Sequence, residues 1–163
     1  MTSRKDHTVN LNFDLEKVHA AFTNEDYWAF NVANLSTEPG EVHSFTATDG
    51  GAEIVLYEIM PMDLLPEAVR AMISQSLKIK RVVKVSAINE GAFTYEYTAD
   101  VKGAPVDFGG NAMVTGNTAM AYDNFVNVTI PFMGPAIEPK VAEALGELLD
   151  NEAALTTRWI EEH

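Results

Sequence analysis

Residues 137–159 read IEPKVAEALGELLDNEAALTTRW, and this stretch decides the architecture. Ile137, Val141, Leu145, Leu148, Leu149, Leu155 and Trp159 recur at helical spacing and fall on one broad apolar face. Pro139 removes a backbone donor and crowds the turn before it. The pattern therefore predicts an irregular opening turn after Pro135 and a regular helix from about Glu138. At 1.5 Å per residue that helix is roughly 30–40 Å long. An apolar face of that length needs a broad cover.

The residues before it supply one. From Leu77 to Ile130 the chain reads as four strands. Leu77, Ile79, Val83 and Val85 share a face of the first, and Phe93, Tyr95 and Tyr97 a face of the second. Val106 to Thr115 forms the third. Tyr122, Asn124, Val126, Val128 and Ile130 share a face of the last. Asn89-Glu90-Gly91, Gly103-Ala104-Pro105 and Gly116-Asn117 are the turns between them. Upstream, strands Glu41 to Thr48 and Ala52 to Met60 flank Asp49-Gly50-Gly51, a hairpin turn that needs positive φ. Val9, Leu11 and Phe13 alternate with polar residues in a first strand, His7 to Phe13.

Two short helices follow that strand. Asp14 caps one through Phe22, and Asn24 opens another carrying Tyr27, Trp28, Phe30, Val32 and Leu35. Asp63 to Ile73 reads as a further amphipathic helix, placed to cap one end of the interior and gate access to it. Antiparallel strands with one apolar face each, plus one long helix, give the α+β class. The expected fold is a curved antiparallel sheet of about seven strands wrapped around the C-terminal helix, in one domain over residues 1–163.

Composition narrows the function. The chain has 163 residues, 47% of them hydrophobic, with a formal net charge of −13 and no cysteine. That charge repels phosphate backbones and anionic membrane surfaces, so neither nucleic acid nor membrane is an expected partner. Without cysteine there are no disulfides and no thiolate metal sites. Met1 to His7 carries no apolar run of the signal-peptide kind, and no stretch approaches the ~20 residues that span a bilayer. A cytoplasmic location is expected.

The order of elements resembles the START-like, or helix-grip (SRPBCC), superfamily, and more closely a small actinobacterial family of unknown function within it. Leu64-Leu65-Pro66 with the helix after it carries the likeness. So do Gly103-Ala104-Pro105-Val106 leading to Gly110, Ile130-Pro131-Phe132-Met133-Gly134 followed by Glu138, and the tail from Glu152 to Trp159. The resemblance runs from His7 to Trp159. It implies a cavity between sheet and helix for an apolar or amphipathic small molecule. The wider superfamily also holds polyketide cyclases, aromatase-like enzymes and ring-hydroxylating oxygenase subunits, and fold does not choose among them.

Catalytic motifs are mostly absent: there is no GxSxG, P-loop, GxGxxG or HExxH. His7, His19, His43 and His163 lack metal-ligand spacing, so neither metal nor cofactor is expected. Polar residues on inward faces remain. Arg81 shares the face of Ile79, Val83 and Val85, where it must pair with a carboxylate, a ligand or water, unless a register change turns it outward beside Lys78, Lys80 and Lys84. As a lone inward cation it would select a carboxylate or a carbonyl. Tyr95, Tyr97, Tyr122 and Asn124 offer either a polar lining for a ligand or an aromatic core layer. Trp28 joins the candidate ligand-binding set, and like Trp159 it also reads as a core anchor. His43 is a general acid–base or an edge histidine, and Glu138 an N-terminal electrostatic cap or a catalytic carboxylate.

Three functions follow. The first is binding of an apolar or amphipathic small molecule. The second is a cyclase- or dehydratase-type enzyme acting on a polyketide-like or aromatic substrate, with His43 or Tyr95 paired to Arg81. The third is a scaffold with a filled core.

Overall fold

The computed structural model describes residues 2–35, 39–59, 67, 78–102, 106–116, 119–129 and 134–163. Asp63 to Ile73 lies outside the described residues save for Glu67, and so do Gly103 to Pro105 and Ile130 to Met133.

Seven strands form one sheet: β1 (Thr2–Asn10), β2 (Glu41–Ala47), β3 (Ala52–Ile59), β4 (Lys78–Val85), β5 (Ala92–Lys102), β6 (Val106–Thr115) and β7 (Ala119–Val128). Their spatial order is β1-β7-β6-β5-β4-β3-β2, with every pairing antiparallel. Strands β2 to β7 are thus a meander, and β1 closes on the last of them. Helices α1 (Leu15–Phe22) and α2 (Glu25–Asn34) carry the chain from one edge strand to the other. Helix α3 (Gly134–Glu162) packs against β1, β7, α1 and α2.

Period-two sequence makes the sheet one-sided. Ile79, Arg81, Val83 and Val85 of β4 are buried, while Lys78, Lys80 and Lys84 are exposed. On β5 the buried set is Phe93, Tyr95, Tyr97, Ala99 and Val101, and on β7 it is Met120, Tyr122, Asn124, Val126 and Val128. Turn chemistry follows the glycines: Gly50 has φ 77° after β2, and Glu90 and Gly91 have φ 53° and 75° before β5. Asn24 caps α2 by accepting from the Asp26 amide at 2.9 Å, whereas Asp14 makes no side-chain cap bond.

Two boundaries and one register differ from the sequence pattern. The first strand runs from Thr2 to Asn10 rather than His7 to Phe13, because its partner β7 sets the ladder and Asn12 turns to φ 56°. Leu11 stays buried, so the alternation outlasts the hydrogen bonding. Helix α3 begins at Gly134 and takes Pro139 inside it, rather than starting near Glu138. On β2 the register shifts between Val42 and Ser44, at His43. Val42 and Phe45 are both half-buried although simple alternation separates them, and the bulge reconciles the two.

The buried stripe of α3 is Glu138, Val141, Ala142, Leu145, Leu149, Glu152 and Thr156. Leu148, Leu155 and Trp159 flank it, half-buried. Three polar residues therefore sit in phase with the apolar ones: Glu138 and Glu152 reach strands of the sheet, and Thr156 meets Tyr27 of α2.

Candidate functional site

Four elements bring polar side chains to one place. Arg81 projects inward from β4 and is 6% exposed. Glu58 continues the inward face of Ala52, Ile54 and Leu56 on β3. Since Leu56 is the direct partner of Arg81, Glu58 is its diagonal neighbour. Asn31 comes from the buried side of α2, beside Tyr27, Trp28 and Val32. Glu152 descends from α3.

Glu152 is the hub. Its Oε2 accepts from Arg81 Nη1 at 2.6 Å and from Asn31 Nδ2 at 3.2 Å, and its Oε1 accepts from the Tyr95 hydroxyl at 3.1 Å. The rest can be ordered by counting protons. Thr156 Oγ1 donates its single proton to the Glu152 carbonyl at 2.9 Å. At 2.6 Å from it, the Tyr27 hydroxyl must therefore be the donor, and it accepts in turn from Asn31 Nδ2 at 3.2 Å. Asn31 Oδ1 accepts from Arg81 Nη2 at 3.3 Å, so every polar atom of Asn31 is used. Arg81 also stands 5.7 Å above the Trp28 ring, in cation–π range.

Glu58 is less well served. Its Oε1 lies 2.9 Å from Arg81 Nη2, an ion-pair distance, yet it makes no hydrogen bond; Arg81 Nε likewise lacks a partner. Burial pushes the Glu58 carboxyl above its ordinary range, and the Arg81 charge opposes this only in part. Burial alone would favour loss of the Arg81 proton, but Glu152 and Glu58 outweigh it and hold the guanidinium charged. Burial, reinforced by Glu152, raises the hydroxyls of Tyr27, Tyr95 and Tyr122 far above the usual tyrosine range. Burial does the same for Tyr97.

A second polar pair sits deeper along the sheet. The Tyr97 hydroxyl donates to Asn124 Oδ1 at 2.7 Å. Both residues are register partners of Gly110 on the strand between them. A Cβ on Gly110 would run into Asn124 Oδ1 and, at 2.7 Å, the Asp123 carbonyl. Tyr95 and Tyr122 flank Ala112 in the same way, with ring centroids 6.0 Å apart. Small residues on β6 thus let the aromatics of β5 and β7 meet.

Against the polar wall lies an apolar cavity of about 40 Å³ between sheet, α2 and α3. Val32, Leu35, Ile79, Phe108, Leu145 and Leu149 supply most of its lining, and Glu58, Arg81 and Tyr97 its polar part. By itself this space holds a few water molecules or a short alkyl tip. Gly40, Glu58 and Ile59 also line an outer groove of about 440 Å³, bounded by Pro39, Glu41, Tyr57 and Lys78.

Of the six residues predicted from sequence, Arg81 and Tyr97 line the cavity. Trp28 and Tyr95 are buried in the network behind it, and Tyr122 and Asn124 in the aromatic layer. Arg81 is not a lone cation, because two carboxylates flank it. His43 is exposed at the edge strand, its ring 5.1 Å from that of Tyr57. Glu138 is buried and accepts the Val128 amide at 3.1 Å, which ties the first turns of α3 to the end of β7. Glu58, Glu152, Asn31 and Thr156 escaped the sequence reading. Each is a polar residue in phase with an apolar stripe, and that was the available signal.

The family model described as "Protein of unknown function (DUF2505)" matches residues 6–160. An uncharacterized protein of Mycobacterium tuberculosis is 26% identical over 165 residues, covering 95% of each chain. Among solved structures, a conserved protein from Geobacillus kaustophilus superposes with TM-score 0.59 at 8% identity, covering 98% of this chain and 96% of that one. The ZhuI aromatase/cyclase from Streptomyces sp. R1128 gives 0.57 at 8%, covering 99% and 94%. The major latex-like protein 151 from Panax ginseng gives 0.51 at 9%, covering 94% and 97%. At these identities the structural likeness speaks for the fold alone.

Proposed function

The chain belongs to the DUF2505 family, and we propose that it is a cytoplasmic protein of the START-like helix-grip superfamily that binds an apolar or amphipathic small molecule between sheet and α3. The observation that carries this reading is the cavity itself. Its walls are leucine, isoleucine, valine and phenylalanine, and its polar groups are gathered on one side. Sites for small molecules are built that way, apolar for affinity with a few polar groups for orientation. The apolar part of a ligand enters between α2 and α3, where the half-buried Leu148 forms part of the wall, and its remainder lies in the outer groove. Single START-like organisation across the chain is part of the same proposal.

A second reading keeps the cavity and adds acid–base chemistry of the cyclase or dehydratase kind. Glu58 favours it, as a buried carboxyl pushed above its ordinary range by burial beside a fixed guanidinium. Tyr95 is less suited, since its hydroxyl is engaged by Glu152. Native mass spectrometry of freshly purified protein tests the first reading. A co-purifying small molecule that dissociates on activation supports it. A bare chain that also takes up no apolar probe points to a filled-core scaffold instead.

A further inference from the structure

Two residues of the cavity wall each carry a buried polar atom without a hydrogen bond. Glu58 Oε1 and Arg81 Nε are buried without a hydrogen-bond partner, and among the described residues no other buried side-chain nitrogen or oxygen is left so. One is an acceptor and the other an N–H donor, on residues of neighbouring strands. Leaving such groups without a hydrogen bond in an apolar interior is costly even where an ion pair stands beside them, so the two read as an incomplete site. The other guanidinium nitrogens are committed, Nη1 to Glu152, and Nη2 to Asn31 by a hydrogen bond and to Glu58 Oε1 as an ion pair at 2.9 Å.

Charge decides what completes it. One guanidinium faces two carboxylates, so the cluster has no positive charge to spare. An incoming carboxylate or phosphate would meet Glu58 and Glu152 in a low-dielectric wall. An ammonium would meet Arg81 and would offer Nε no acceptor. A hydroxyl does both jobs, because it donates one hydrogen bond and accepts others.

Building on the cavity reading above, we propose that the ligand is an uncharged amphipathic alcohol or phenol, whose hydroxyl seats between Glu58 Oε1 and Arg81 Nε while the adjoining part of its apolar body packs on Ile79, Phe108, Leu145 and Leu149 and the rest follows the outer groove. Carboxylates of the same length are selected against, the reverse of what a lone Arg81 would select.

The test compares three probes of similar size by calorimetric or ligand-observed NMR titration at neutral pH. They are 1-octanol, octanoate, and 1-methoxyheptane, an isomer of octanol without the hydroxyl proton. Octanol is expected to bind about tenfold or more tighter than either, the value of a hydrogen bond to a charged group. Glu58→Gln should narrow the gap between octanol and octanoate, because it removes one of the two negative charges. If octanoate binds as well as octanol, or the ether does, the cavity reading survives and the hydroxyl site does not. If no probe binds, the cavity reading falls and takes this inference with it. Should the variant not fold, the ranking of the three probes on the unmodified protein still decides the matter.

Discussion

Glu152→Gln keeps the shape of the hub and removes its charge. In the structure the carboxylate accepts three hydrogen bonds, at 2.6 Å from Arg81, 3.2 Å from Asn31 and 3.1 Å from Tyr95. A glutamine presents one acceptor oxygen where there were two, and its NH₂ must face at least one of those donors. One charge-assisted bond at about 1.5–3 kcal/mol and one neutral bond at about 0.5–1.5 kcal/mol are lost. Stranding a buried charge outright costs about 3–5 kcal/mol. Glu58 remains as a counter-ion, so the expected loss lies near the lower end, about 3 kcal/mol. In urea, with a slope of about 2 kcal/mol per M, the midpoint falls by about 1.5 M. Arg81→Met with Glu152→Leu removes both charges together and should be more stable than the sum of the single variants by at least about 1.5 kcal/mol. Circular dichroism across urea measures both. A Glu152→Gln protein within about 0.5 kcal/mol of the parent, or strict additivity in the cycle, would refute the hub.

Three further outcomes follow from the same geometry. Tyr27, Tyr95, Tyr97 and Tyr122 all have raised hydroxyls, so their stabilising contribution is complete below the ordinary tyrosine range and is lost as pH climbs towards the folded values. Stability should fall above roughly pH 10 by up to about 1.4 kcal/mol per pH unit for each, with tyrosinate absorbance and near-ultraviolet circular dichroism changing together. Glu58 obeys the same sign. Its raised carboxyl favours the fold below the ordinary carboxylate range and disfavours it as pH rises, so Glu58→Gln should be stabilising at about pH 8 and near neutral at about pH 4, by paired urea melts. Gly110→Ala should cost about 1–3 kcal/mol by driving a methyl against Asn124 and the Asp123 carbonyl, with the Tyr97 bond broken as a result.

The sheet was legible because its signal is redundant. Each strand repeats a period-two pattern, and one wrong residue does not erase it. Edges were harder: β1 ends where its partner ends, and no local feature of Leu11 or Phe13 reports that. On β2 a single extra residue at His43 scrambled the faces. The site was half legible. Arg81 stood out as a charge among Ile79, Val83 and Val85. Its partners did not, because Glu152 is 71 residues away in sequence and each carboxylate looks ordinary among 24 acidic residues. Only the helical phase of Glu152 and Thr156 with Leu145 and Leu149, and the strand phase of Glu58 with Leu56, marked them. The sign of the site therefore came from three-dimensional pairing.

Methyl NMR during titration with 1-octanol tests the central claim most directly. The account predicts saturable shifts concentrated on Val32, Leu35, Ile79, Leu145, Leu148 and Leu149, with the methyls of Val9 and Val18 unmoved, since neither lines the cavity. Shifts spread evenly over the protein, or none up to the solubility of the alcohol, would contradict a ligand site between the sheet and α3.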